Sequence, residues 1–119
     1  MTKLGNILRD EVVDGLRCLI LQGPVSPCAY IGIPLDSTLA DKDYNEIDLP
    51  VHGGLTFGKA GDGDRWPAGL YWYGWDYAHY GDFETHSPMM DGSLWTVDTV
   101  WPEVIEAAHA MNDLLKVTP

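Results

Sequence analysis

The sequence has 119 residues and 45% of them are hydrophobic, which suits one folded domain spanning residues 1–119. Seven Lys and Arg against 18 Asp and Glu give a net charge of -11, which disfavours direct binding of duplex nucleic acid because such surfaces need clustered cations. No apolar run exceeds the four residues Cys18 to Leu21, so neither a membrane span nor a leader core is predicted, and we expect a cytoplasmic location.

The first turn signal along the chain is Asp14-Gly15, which lies between Val12-Val13 and the apolar run that begins at Leu16. Both turn residues tolerate a positive φ, so the pair predicts a type I′ hairpin between two strands. A helix over residues 3–13 is the competing interpretation, because apolar residues there also recur at helical spacing. Cys18 and the later Cys28 are expected to remain reduced thiols without a disulfide.

A third strand is predicted over residues 28–33 (CAYIGI), ending before Pro34, and residues 35–50 are predicted to form a long polar loop. The loop begins the most acidic part of the chain, since residues 36–91 hold eleven acids and three bases. A solvated face explains this charge most simply. The alternatives are a cation site and an acidic surface that meets a basic partner.

Two glycine-containing segments follow the acidic loop. Residues 51–57 (VHGGLTF) resemble a strand interrupted by a bulge at the glycine pair, and residues 58–69 predict a flexible turn. Residues 70–78 (LYWYGWDYA) are the strongest strand prediction, because aromatic residues favour strands. Eight of the thirteen aromatic residues lie between positions 66 and 83.

The C-terminal segment predicts a helix, with Thr99 as its cap, Pro102 in the first turn and Glu103 at the positive end of the dipole. Its predicted apolar stripe comprises Trp101, Val104, Ala108, Met111 and Leu115. Its predicted solvent face comprises Glu106, His109, Asp113 and Lys116. The fold class is therefore α+β, a small and mostly antiparallel sheet with a C-terminal helix packed on one face.

Polar side chains beside glycines mark two of these segments as a candidate site, made of His52, Gly53, Gly54, Asp76, His79 and Asp82. Its histidines and carboxylates converge if the 51–57 segment pairs with the strand at 70–78. They could then bind a divalent metal, orient an imidazole as a general base, or hydrogen-bond a ribose or base. They could equally satisfy backbone groups at tight turns. No strict metal-ligand pattern is met, so no metal ligand or cofactor is assigned.

Aromatic rings near these polar groups could form a stacking platform, and the candidates are Trp72, Trp75 and Tyr77. The alternative is that the alternating rings cover both faces of one strand.

The order of these motifs resembles a family of small phage and bacterial proteins that carry a VHGGLTF segment, a WxGFDxAHxGD segment and a terminal helix. The resemblance covers residues 18–115, with Trp75 in place of Phe and Tyr77 in place of a small residue. It implies one α+β domain in a phage or prophage setting. It also implies special roles for the glycine-flanked histidines and aspartates.

By analogy with small acidic phage proteins, we expect a counter-defence protein that inhibits host immunity. In one mechanism the aromatic and polar set sequesters a nucleotide-derived immune signal, with backbone N–H groups supplied by Gly53-Gly54. In the other, the acidic surface imitates nucleic acid and blocks a basic groove on a host defence protein, as some anti-CRISPR proteins do.

The alternative from another class is a small nucleotide or phosphoester hydrolase, which would use His52 and His79 with Asp76 and Asp82, with or without a metal. A third hypothesis is a virion or assembly component that has no ligand-binding or catalytic site. The chain could also form a homo-oligomer.

Overall fold

A computed structural model describes residues 7–23, 26–51, 53–63, 66–77 and 96–117. Its elements are β1 (Ile7–Val13), β2 (Leu16–Gln22), β3 (Pro27–Pro34), a 3-10 turn (Tyr44–Glu46), β4 (Phe57–Ala60), β5 (Leu70–Asp76) and α1 (Val97–Val117). The strands form one sheet in the order β1-β2-β3-β5-β4, and every neighbouring pair is antiparallel. The predicted α+β class is confirmed.

The N-terminal hairpin forms at the predicted turn. Val13 pairs with Leu16, and between them Asp14 and Gly15 have φ angles of 54° and 82°, as a type I′ turn requires. The alternative helix over residues 3–13 is wrong for its described part, because residues 7–13 are a strand. Pairing with β2 overrides the weak helical periodicity of this segment.

The fourth strand lies later in the chain than its motif predicts. Among the described residues of the 51–57 segment, only Phe57 belongs to a strand, and β4 continues to Ala60 inside the predicted turn. Gly53 and Gly54 have φ angles of 72° and 78°, which lie outside the strand region. The glycine pair therefore precedes the strand and is not a bulge within it.

The sheet face that α1 covers holds the main core. Alternate residues of β2, β3 and β5 point toward the helix, and the 39–55 segment closes the core with Leu39, Ile47, Leu49, Val51 and Leu55. The opposite face carries a smaller cluster made of Leu19, Leu21, Tyr30, Trp66 and Trp72. The aromatic residues of β5 are therefore divided between two cores.

Helix α1 begins one turn earlier than its predicted cap. Thr96 and Thr99 each accept a hydrogen bond from the other's backbone N–H, at 3.3 and 2.7 Å respectively, so Thr96 is the N-cap and Thr99 its partner. The buried stripe consists of Val100, Val104, Ala107, Ala108 and Met111, whereas the predicted members Trp101 and Leu115 are only partly buried.

The predicted solvent face of α1 is confirmed, since Glu106, His109, Asp113 and Lys116 are all exposed. His109 Nδ1 lies 3.0 Å from Asp14 Oδ2, which ties the helix to the first turn. Hydrogen bonds from His109 and Asn112 lower the pKa of Asp14.

Both cysteines are free. Cys18 belongs to the main core and Cys28 packs against the cluster on the opposite face, so the sheet itself separates the two sulfur atoms. Within the described ranges, no helix is long and apolar enough to cross a membrane.

Candidate functional site

The structure describes only part of the predicted histidine and aspartate site. His52, His79 and Asp82 lie outside the described residues, so their convergence remains a prediction. The segment after Gly53-Gly54 does reach β5, because the Thr56 N–H donates to the Gly74 carbonyl at 2.9 Å and Phe57 pairs with Gly74. This pairing places the glycine pair near the end of β5 that carries Asp76.

The three rings assigned to ligand stacking are core residues in this conformation. Trp72 and Tyr77 are 0% exposed and Trp75 is 1% exposed. Trp72 points away from α1 and donates from Nε1 to the Pro67 carbonyl at 2.9 Å, whereas the other two rings lie under the helix. Alternation along β5 therefore places Trp72 on one face of the sheet and Trp75 and Tyr77 on the other, as the alternative interpretation of the ring pattern predicted.

A polar cluster joins the end of β5 to the helix. The Tyr77 hydroxyl donates to the Glu103 carboxylate, and Trp75 Nε1 lies 3.0 Å from the Tyr77 oxygen and 3.3 Å from Glu103 Oε1. The sequence suggested only a dipole role for Glu103, although its spacing from Val100 places it at the edge of the buried stripe. This cluster attaches the first turns of α1 to the sheet.

The acidic loop presents its carboxylates to solvent. Its exposed acids are Asp36, Asp41, Asp43, Glu46 and Asp48, and Lys42 is its only base. The apolar residues between them point the other way and enter the main core at Leu39, Ile47 and Leu49. The buried apolar side chains therefore hold the loop backbone against the core while the carboxylates face solvent.

The buried side chain of Tyr73 anchors the backbone of the acidic loop to β5. Its ring is 0% exposed, and its hydroxyl accepts from the Lys42 N–H at 3.0 Å and donates to the Leu39 carbonyl at 2.7 Å. Burial, the largest cause, raises the pKa of Tyr73. Between these anchor points, Asp41 has a φ of 60°, a conformation in the left-handed region.

A cleft of about 360 Å³ opens beside this anchored stretch. It is lined by Asp41, Lys42, Asp43, Tyr44, Asn45, Gly58 and Tyr71. The Asp43 carboxylate uses Oδ1 to accept the Asn45 N–H at 2.9 Å, and no hydrogen bond to its Oδ2 is found among the described residues. Burial and the nearby Asp41 charge both raise the pKa of Tyr71, so its phenol stays protonated at neutral pH.

The charges of the cleft define what it can hold. Two carboxylates and one ammonium group give its lining a net charge of -1, and the surrounding loop adds further carboxylates. A phosphate group would be repelled here, whereas a cation with N–H donors would meet carboxylate, phenol and amide oxygens. The sequence shows the acids but does not predict the cleft, because the cleft forms only when the pairing of β4 with β5 brings Gly58 and Tyr71 beside the loop.

A family-model scan and searches of curated proteins and of solved structures return no match to this chain. The family resemblance of the two glycine motifs therefore stays a prediction. Among the described residues, no group of three or more His, Cys, Asp or Glu side chains is arranged to hold a metal ion.

Proposed function

We propose that the protein is a counter-defence inhibitor whose acidic loop occupies a basic, nucleic-acid-binding surface on a host defence protein. The observation that carries the proposal is the exposure of all five loop carboxylates on an anchored backbone. The resemblance to small phage and bacterial proteins supports a defence protein as the target.

The electrostatics of the loop support this kind of recognition. Five carboxylates against Lys42 leave residues 36–48 with a net charge of -4, which would attract a cationic groove that normally holds a phosphate backbone. The attraction between exposed charges extends over a Debye length of about 8 Å at physiological salt, so binding should weaken as salt is added. Anchoring by Tyr73 reduces the loop entropy lost on binding.

Sequestration of a nucleotide-derived signal has less support from the described residues. Its proposed stacking rings are buried, and the cleft presents carboxylates that would repel phosphate groups. Phosphoester hydrolysis meets the same repulsion unless a metal offsets it.

The proposal is tested by phage plating on bacteria that carry nucleic-acid-targeting defence systems. Co-expressed wild-type protein should restore plating against at least one system. A loop variant with Asp36→Asn, Asp43→Asn and Glu46→Gln should lose this effect. A matched control with Glu11→Gln, Glu106→Gln and Asp113→Asn removes the same charge from exposed acids elsewhere and should retain it.

Retained protection in the loop variant would show that the acidic loop is not the inhibitory surface. Equal loss in both triple variants would attribute the effect to overall charge. Release of an intact nucleotide from denatured protein, purified from infected cells, would instead favour sequestration.

A further inference from the structure

We propose that the cleft beside Tyr71 receives an arginine side chain of the basic partner, an inference that rests on the proposed inhibitory function. The guanidinium would hydrogen-bond to the carboxylates of Asp41 and Asp43 and to the Tyr71 hydroxyl. Selection of one chemical group distinguishes specific recognition from general attraction between surfaces of opposite charge.

The Tyr71 side chain is the observation that points to a ligand. The residue is only 8% exposed and lines the cleft, yet within the described part of the chain no hydrogen bond reaches its hydroxyl. Tyr73, two residues along the same strand face with its ring centroid 5.1 Å away, has its hydroxyl bonded to the backbone at Leu39 and Lys42. The hydroxyl belongs to the exposed part of the residue, where it lines the cleft, so its donor and its acceptor are both accessible to a bound group.

The acceptors of the cleft match a planar donor. Among the described residues, no ion pair or hydrogen bond engages the Asp41 carboxylate, and the Asp43 carboxylate uses Oδ1 for its own 3-10 turn. A guanidinium carries five N–H donors in a fixed plane and can reach several oxygen atoms at once. An ammonium is a compact point charge that any exposed carboxylate of the loop could serve equally well.

Charge and size also favour a single monovalent cation. Lys42 reduces the net charge of the lining to -1, which suits a guanidinium better than a divalent metal ion. The volume of about 360 Å³ lies near the lower limit of small-molecule pockets and is ample for the end of one side chain.

The test compares two fluorescein-labelled hexapeptides, (Gly-Arg)3 and (Gly-Lys)3, which carry equal charge. Fluorescence anisotropy should show wild-type protein binding the arginine peptide about five- to tenfold more tightly, the effect of one well-placed hydrogen-bonding group. Tyr71→Phe keeps the ring and should remove this preference while leaving affinity for the lysine peptide unchanged. Asp41→Asn should weaken binding of the arginine peptide, and the charge-matched control Asp113→Asn should not.

Equal affinity for the two peptides, with both lost in the Asp36, Asp43 and Glu46 loop variant, would overturn the arginine assignment and leave the acidic-surface proposal standing. A preference for arginine that survives Tyr71→Phe would also overturn it. Failure of both peptides to bind at low salt would overturn the proposed function together with this inference. Circular dichroism of each variant confirms that any loss of binding occurs in folded protein.

Discussion

Replacing Tyr73 with Phe should destabilise the protein through the acidic loop alone, because the ring is retained and only the hydroxyl is removed. That hydroxyl bonds the Lys42 N–H at 3.0 Å and the Leu39 carbonyl at 2.7 Å. Each bond contributes about 1 kcal/mol net, and the stranded carbonyl of buried Leu39 adds a desolvation penalty of about 1 kcal/mol. We therefore expect a loss of roughly 2–3 kcal/mol in the free energy of unfolding.

The matched control is Tyr71→Phe on the same strand face. Its hydroxyl has no hydrogen bond within the described part of the chain, so this variant should lose less than about 0.5 kcal/mol. Equilibrium urea unfolding, followed by tryptophan fluorescence, measures both changes, and the melting temperature of Tyr73→Phe should fall by roughly 6–15 °C. Equal losses in the two variants would refute the assignment of Tyr73 as the anchor of the loop.

Three further perturbations test the two cores and the helix. Gly74→Ala should lower the free energy of unfolding by roughly 1–3 kcal/mol, because the new Cβ would lie 2.3 Å from Tyr30 Cδ2. An unchanged urea midpoint would mean that the Tyr30 ring moves aside freely. Met111→Asp should lower the free energy of unfolding by roughly 3–5 kcal/mol, because it buries an unpaired carboxylate. His109→Ala removes only an exposed contact with Asp14 and should have a much smaller effect. Similar losses in the two variants would mean that the helix faces are assigned wrongly. Burial raises the pKa of Cys18 from 9.0 to about 12, so the stability it contributes is complete below pH 9 and should be lost as the pH rises from 9 through 12. Urea midpoints measured across that pH range should fall less in Cys18→Ala than in the wild-type protein. Parallel curves for the two proteins would show that ionisation of Cys18 does not contribute to this loss of stability.

Some parts of the site could be read from the sequence because their signals are local. The high density of acids in residues 35–50 correctly indicated an exposed polar loop, and the aromatic-rich composition of residues 70–78 correctly indicated a strand, which spans Leu70–Asp76. The burial of individual aromatic residues could not be read from the sequence. Composition shows that there are many rings, but it does not show which ones a second layer covers, and Trp72 and Trp75 are covered on opposite faces.

The sequence alone specifies the elements whose signals lie within a few residues of one another: the turn at Asp14-Gly15, the third strand that ends at Pro34, and the amphipathic helix. Tertiary structure alone decided the order β3-β5-β4, which brings Gly58 and Tyr71 against the acidic loop and leaves a cleft there. It also decided that the Tyr73 hydroxyl is used for folding while the Tyr71 hydroxyl stays available. Both side chains have the same chemistry and the same strand periodicity. They differ only in which backbone atoms, more than thirty positions away in the chain, come within hydrogen-bonding distance.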